Sequence, residues 1–309
     1  MRKSFTFLFM FLAGAPAAFA LNARSAVSIN GNDLNPCTVA SPCRSFTAAL
    51  SATAVNGEVI ALDSAGYGPF TVGFSVTVSG APGVHAAITA SAGNGIDVIT
   101  AGGDAVTIRN LVLIGAGGAN GIDETNASNL RVLDCLIRGF TGFGIEAHAG
   151  NLSVDHSIVL DTNPAGGTGV AIGAFSNGTN AIEMTITNSL IEGYGSTGVV
   201  ASGLASAMVV NCTITRGGVG VVAESQTATG VPARVTIEAS TITRNNSGIA
   251  TISSGGNNTA IIYIAQDEIS YNTTGATGIG GGSSFKTFGN NRFTENGTDG
   301  GPFGSIALK

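Results

Sequence analysis

Apolar and polar residues alternate in short runs along most of this chain, and the runs recur. Each unit reads apolar-x-apolar-x-Asn, then a polar bend, then Gly-Ile or Gly-Val. It occurs as Val106-Thr107-Ile108-Arg109-Asn110 with Gly121-Ile122, and as Leu130-Arg131-Val132-Leu133-Asp134 with Gly144-Ile145. Further copies run from Leu152 to His156 with Gly169-Val170, from Met184 to Asn188 with Gly198-Val199, and from Ala207 to Asn211 with Gly220-Val221. Val235 to Ala239 with Gly248-Ile249 is another, and weaker copies reach Gln266 and Asn290.

The fifth position of the unit is Asn110, Asp134, His156, Asn188, Asn211, Ala239, Gln266 and Asn290, at separations of 24, 22, 32, 23, 28, 27 and 24 residues. Period-two alternation inside a period of this size means several short strands per repeat. A coil of three strands accounts for it, each strand pairing in parallel with its equivalent one turn away. Inward positions then form apolar ladders. The fifth position falls at a tight bend, where Asn tolerates a left-handed backbone better than most residues, and the glycine serves the next corner.

Composition agrees with strands and turns. Among 309 residues there are 46 glycines, no tryptophan, 44% hydrophobic residues and only 10% charged ones. That is too apolar for a disordered chain and too poor in charge for a helical bundle or coiled coil. The glycines follow no three-residue period, which excludes collagen.

The first twenty residues are set apart. Arg2 and Lys3, an apolar stretch from Phe5 to Ala15, and Ala18-Phe19-Ala20 read as a secretory signal peptide cut after Ala20. No later segment offers eighteen uninterrupted apolar residues, so no membrane span is expected and the protein is read as exported, periplasmic or extracellular. Without the leader, 11 basic residues face 19 acidic ones. Nucleic acid is therefore excluded as a partner, because a phosphate backbone needs a basic face.

Cys37 and Cys43 lie six apart in a polar stretch, and an exported protein keeps disulfides, so they are predicted to pair. Zinc is the competing reading, but two thiols without a nearby His or third Cys make a poor zinc site. Cys135 and Cys212 fall at one inward position, with Ser157, Ser189 and Ser240, in a ladder of small residues. Three coils separate the two thiols, about 14 Å at the usual strand spacing, too far to bond.

Taken together, the repeat resembles the pectin-lyase-like superfamily of right-handed parallel β-helices, and more closely its uncharacterised exported bacterial branch, over roughly residues 26–300. The segment from Asn35-Pro36-Cys37 through Pro42-Cys43-Arg44-Ser45-Phe46 to Gly57-Glu58-Val59-Ile60 is similar to that branch's entry segment. Ser41-Pro42 suits a helix N-terminus, and Phe46, Ala49, Leu50 and Thr53 share one helical face. The fold expected is an all-β, single-stranded right-handed parallel β-helix with a short N-terminal capping helix. Its organisation is a leader over residues 1–20, a segment with the disulfide and capping helix over 21–57, and the β-helix over 58–309.

In enzymes of the fold this chain resembles, substrate lies along the first strand of each coil. With the Ile of each Gly-Ile inward, the next residue points out, giving Asp97, Asp123, Glu146, Ala171, Val200, Val222 and Ala250. Asp97, Asp123 and Glu146 thus stand in line with His148 beside them, adjacent carboxylates being about 5 Å apart. Strict alternation would turn Glu124 inward, so this strand is expected to end at Asp123. Like charges in register need compensation. Three readings stay open. Asp97, Asp123, Glu146 and His148 are candidate catalytic residues for glycoside hydrolysis, Asp123 and Glu146 are candidate calcium ligands, or the row is a solvated acidic stripe.

Several absences weigh against catalysis. The Asn-Thr-Asp, Asp-Asp, Gly-His-Gly and Arg-Ile-Lys motifs of polygalacturonases do not occur; Ala147-His148-Ala149 echoes the third faintly. Leu152-Ser153-Val154-Asp155-His156-Ser157 is similar to a pectate lyase strand without its Trp, and the Arg-x-Pro-x-x-Arg strand is missing. Beyond the leader only Lys286 and Lys309 are lysines, and Arg109 and Arg131 point outward from the second strand, around a corner from the acidic row. Arg138 is the base read as nearest Asp123 and Glu146. Insertions at 173–181, 223–232 and 253–259 hold no aromatic besides Phe175, whereas sugar rings usually stack on aromatics. A regular Thr-x-Thr ladder for ice binding is absent apart from Thr185/Thr187. The sequence therefore reads as a glycan-associated recognition or structural surface protein, with a polysaccharide or cell-surface glycan as partner and no complete catalytic motif. The alternative is a polysaccharide hydrolase or lyase acting on an acidic glycan.

Overall fold

The computed structural model describes residues 21–126, 129–163, 169–176, 180–225, 232–254 and 259–307. The leader read at 1–20 lies outside the described residues, as do Lys309 and the middles of the three insertions. Within them the chain is an all-β parallel solenoid with one short helix. Its strands form three parallel sheets of ten, twelve and ten strands, each strand pairing with its equivalent one coil away.

The first face carries the Gly-Ile strands, among them Ile96–Val98, Ile122–Glu124, Phe143–Ala147, Val170–Phe175 and Thr197–Ser202. The second carries the apolar-x-apolar strands, such as Ala105–Arg109, Asn129–Leu133, Asn151–Asp155 and Ile182–Thr187. The third has short strands such as Leu136–Arg138 and Ile158–Leu160. Alternation places one apolar set inside. Val106, Leu130, Leu152 and Met184 stack as one rung series and Ile108, Val132, Val154 and Ile186 as the next, all but sealed from solvent. Burying each such side chain contributes about 1.5–3 kcal/mol.

Two kinds of corner punctuate each coil. At the fifth position Asn110, Asp134, His156, Asn188, Asn211, Ala239 and Gln266 all have φ between 47° and 59°. The last copy departs: Gly289, not Asn290, takes the left-handed conformation there. The glycine before Ile/Val works differently from expectation. Gly121, Gly144, Gly198, Gly220 and Gly248 do not have left-handed φ; a Cβ on any of them would lie 2.4–2.6 Å from the carbonyl oxygen of the equivalent residue in the next coil. Close backbone approach, not dihedral freedom, selects glycine here.

Two features order the first coil of the described residues. Phe46–Ser51 forms a helix whose N-cap is Ser45, which accepts the Ala48 N–H, so the helix starts four residues later than Ser41-Pro42 suggested. It buries Phe46, Ala49 and Leu50 and stacks Phe46 on Phe70, the ring centroids 4.7 Å apart. Thr53 lies past its end, in the strand Thr53–Ala61, and its hydroxyl returns to the Ala49 carbonyl. Cys37 and Cys43 form a disulfide with their Cα atoms 4.6 Å apart. The stapled loop covers the outer edge of the first strand, Asn22–Val27, since Ala26 N–H donates to Cys37 and Cys43 N–H donates to Ala26. An open strand edge would otherwise invite association.

Inward ladders of small polar residues line the corner after the second strand. Cys135, Ser157, Ser189, Cys212 and Ser240 are buried in register, followed by Asp267. A rung accepts the backbone N–H of its predecessor, as in Cys135 to Ser157, Ser157 to Ser189 and Ser240 to Asp267. The thiols of Cys135 and Cys212 are free and buried. No helix among the described residues is long and apolar enough to cross a membrane.

Candidate functional site

The acidic row is present in the expected register. Thr71, Asp97, Asp123, Glu146 and Gly173 occupy one outward position on successive strands of the first face. The fourth coil departs from the sequence reading, because Gly169-Val170 is not its Gly-Ile pair. Val170 pairs with Phe143 and Ile172 with Ile145, so Ala171 fills the crowded glycine slot and is buried, and Gly173 continues the row. Ala171-Ile172 therefore fills the Gly-Ile register, two residues after Gly169-Val170.

Two asparagines hold the carboxylates together. Asn94 Nδ2 donates to Asp97 Oδ1 at 2.8 Å and to Asp123 Oδ2 at 2.9 Å, bridging adjacent coils. Asn120 Nδ2 donates to Glu146 Oε2 at 2.8 Å. Both amide orientations are fixed by the backbone: Asn94 Oδ1 accepts the Asn120 N–H, and Asn120 Oδ1 accepts the Phe143 N–H. These N–H donors supply the compensation that stacked like charges require. Sequence reasoning missed them, although a signal existed: the tetrapeptide Asn-Gly-Ile-Asp occurs at 94–97 and again at 120–123.

His148 Nε2 lies 3.2 Å from Glu146 Oε1, and donor atoms of Asp123, Glu146 and His148 all fall within 4.8 Å of one another. The position of His148 is set from beneath. Glu124 belongs to the strand, contrary to the expected end at Asp123, and points inward with no exposed surface. Its Oε2 accepts the backbone N–H of His148 and of Ala149, pinning the turn that carries the imidazole. Glu124 is thus a positioning residue. Arg138 makes no ion pair with Asp123 or Glu146 among the described residues; His148 takes that place.

Burial pushes the Glu146 carboxyl up from its ordinary value and the Asp123 charge adds to this, while His148 and Asn120 offset it in part. Its side chain is 14% exposed, against 40% for His148. The far side of the site is walled by Phe175, whose ring covers Gly173 and meets Phe143 edge to face at 5.4 Å. Phe143 was not singled out in the sequence. Beyond this wall the row continues as Val200, Val222 and Ala250. They are in the expected register but buried, packed with Val170 and flanked by Phe143, Phe175, Val219 and Ile252 in a second apolar cluster outside the coil.

Asp123, Glu146 and His148 stand close enough to hold a cation, and their side chains alone supply fewer oxygens than the six to eight that calcium takes. A carboxyl held toward its protonated form, a second carboxylate beside it and an imidazole at the rim can also exchange protons and accept hydrogen bonds from hydroxyl groups.

No protein-family profile matches the chain, and no characterised protein sequence matches it. Solved structures do. The pectate lyase Pel9A superposes with a TM-score of 0.60 at 13% identity, covering 93% of this chain and 80% of that one. The complex of XylC with xylose gives 0.65 at 10% identity over 87% and 70% of the two chains. An alginate lyase from Paenibacillus sp. str. FPU-7 gives 0.57 at 12% identity over 90% and 100%. At these identities the likeness is one of fold, the right-handed parallel β-helix.

Proposed function

We propose that the protein is a glycan-recognition β-helix whose first face holds a sugar chain against Asp97, Asp123, Glu146 and His148. The observation that carries this reading is the in-register carboxylate row fixed by Asn94 and Asn120, with Phe143 and Phe175 closing one end. Carboxylates accept hydrogen bonds from sugar hydroxyls, and charge-assisted bonds of this kind are about twice as strong as neutral ones. The fold likeness to a pectate lyase, an alginate lyase and a xylose complex supports a carbohydrate as the partner class.

Glu146 favours a second reading. Its raised pKa suits a general acid, and Asp123 stands within reach as the partner carboxylate. If a glycosidic bond is cleaved, turnover falls as pH rises through the pKa of Glu146, since the acid form is then lost. Polysaccharides incubated with the protein and assayed for reducing and unsaturated ends test both readings. Binding without new ends, weakened by Asp123→Asn with Glu146→Gln, supports recognition; new reducing ends without unsaturation, abolished by Glu146→Gln, support hydrolysis, and unsaturated ends support elimination instead. Absence of both, across neutral and acidic polysaccharides, removes the proposal.

A further inference from the structure

The second face carries charge of the opposite sign at its N-terminal half. Its outward row runs Glu58, Thr77, Thr107, Arg131, Ser153 and Thr185 in strict register, with Arg24 one strand before Glu58 and Arg109 beside Thr107. Glu58 is the fixed point of this cluster. Arg24 donates to its Oε2 at 2.7–2.8 Å, and Arg109 Nη2 and the Ser79 hydroxyl both donate to its Oε1 at 3.0 Å. The Glu58 side chain is 15% exposed while the two arginine side chains are 63% and 50% exposed, so one half-buried anion holds two guanidinium groups at the surface. Each has five N–H donors and spends only one or two on Glu58. Arg131 is exposed and forms no ion pair among the described residues. Three cations thus gather over Glu58 at the N-terminal end of this face, and Asp155 and Glu183 stand one and two strands beyond Arg131.

These residues border two shallow grooves that meet at Leu133. One, of about 560 Å³, lies against Arg24, Glu58, Thr77, Thr107 and Arg109; the other, of about 430 Å³, starts at Arg131 and runs past Ser153 and Thr185 to the carboxylates of Asp155 and Glu183. Together they follow the coil axis. Arg24 and Arg131 are four strand spacings apart, about 19 Å. The groove floor is hydroxyl-bearing, and no aromatic ring lines either part, which disfavours the base stacking that single-stranded nucleic acid uses. Asp155 and Glu183 end the basic stretch.

We infer that the basic half of the second face is a separate binding site for an anionic glycan, with Arg24, Arg109 and Arg131 pairing its carboxylate or sulfate groups and Thr77, Thr107 and Ser153 meeting its hydroxyls. The inference rests on the glycan reading above and names the class of sugar: the acidic first face repels a polyanion, and the second attracts it. Guanidinium forks match carboxylate and sulfate geometry, and Glu58 keeps two of them oriented.

The test uses titration calorimetry at low salt with three probes: a size-defined oligogalacturonate, its methyl ester and dextran sulfate. The oligogalacturonate or dextran sulfate, or both, should bind, the methyl ester about tenfold more weakly, and affinity should fall as salt rises. Arg109→Gln with Arg131→Gln should weaken binding of the anionic probe about tenfold, while Arg138→Gln on the third face and the triple variant Asp97→Asn, Asp123→Asn, Glu146→Gln retain it. All the changed arginines are exposed, and melting temperature checks that the variants fold. Anionic binding that survives the double arginine variant and is lost in the first-face variant overturns the second-face site and leaves glycan recognition standing. No binding of either anionic probe overturns the second-face site, while the first-face reading is decided separately by the neutral and acidic polysaccharides of its own test.

Discussion

Asp267 stands where the preceding rungs of its ladder are Cys and Ser, and that substitution makes stability depend on pH. Burial pushes its carboxyl up to about 7 and the Glu238 charge adds to this, although Ser240 and Ala265 N–H groups donate to it. A carboxyl whose folded pKa lies above its unfolded value favours folding while protonated. That contribution is present below about pH 4 and lost as pH rises through about 7. The melting temperature should therefore fall between pH 5 and 9, and Asp267→Asn should flatten this slope, a difference of about 2–4 kcal/mol at the alkaline end. Asparagine suits the site, because Asn291 already serves as the next rung. An unchanged slope in the variant would refute the assignment. The same burial pushes Cys135 up to about 12 and raises Cys212. Neither thiol should react with a disulfide reagent at pH 8 until the protein unfolds, and rapid labelling of the native state would contradict their placement.

Strands and corners were legible in the sequence to the extent that their cause is local. The left-handed bend at Asn110, Asp134, Asn188 and Asn211 shows because one residue type suits it, whereas the second left-handed corner left no such trace. It is filled by Gly139, Asp161, Gly193, Arg216, Arg244, Tyr271 and Glu295 in turn, which share a dihedral angle and no chemistry. The fourth coil was misread because Gly169-Val170 imitates the Gly-Ile pair two residues early, and only pairing with Phe143 fixes the register. In the candidate site, alternation alone exposed Asp97, Asp123 and Glu146. Asn94, Asn120 and Glu124 act across coils, so their roles depend on register. At the glycine corner, Gly220→Ala would place a methyl group 2.4 Å from the Gly248 carbonyl oxygen and should cost about 1–3 kcal/mol, read from chemical denaturation. A neutral result would show that the coils yield more readily than their packing implies. Replacing Cys37 and Cys43 by Ser should cost about 2 kcal/mol for so short a loop, and exposing the edge of Asn22–Val27 should increase self-association on size exclusion.

At the scale of the whole molecule, a carboxylate cluster and an arginine cluster lie on different faces, the second bounded by Asp155 and Glu183. Carboxylates with their asparagine clamps occupy the first face near Phe143 and Phe175, and guanidinium groups organised by Glu58 occupy the second. A low overall charge of −6 conceals this, because the few charged side chains are placed by register and not spread evenly. A rigid stack presents both faces along one axis, so an extended polymer can lie parallel to the coil and meet several repeats at once. The central claim is that the polymer is a glycan. Retention of a panel of neutral and acidic polysaccharides on immobilised protein tests it most directly, with the first-face triple variant and the double arginine variant alongside. The account predicts saturable retention of at least one polysaccharide, lost in the variant of the face that binds it while the melting temperature is unchanged. A panel with no retention, or retention indifferent to both variants, would contradict it.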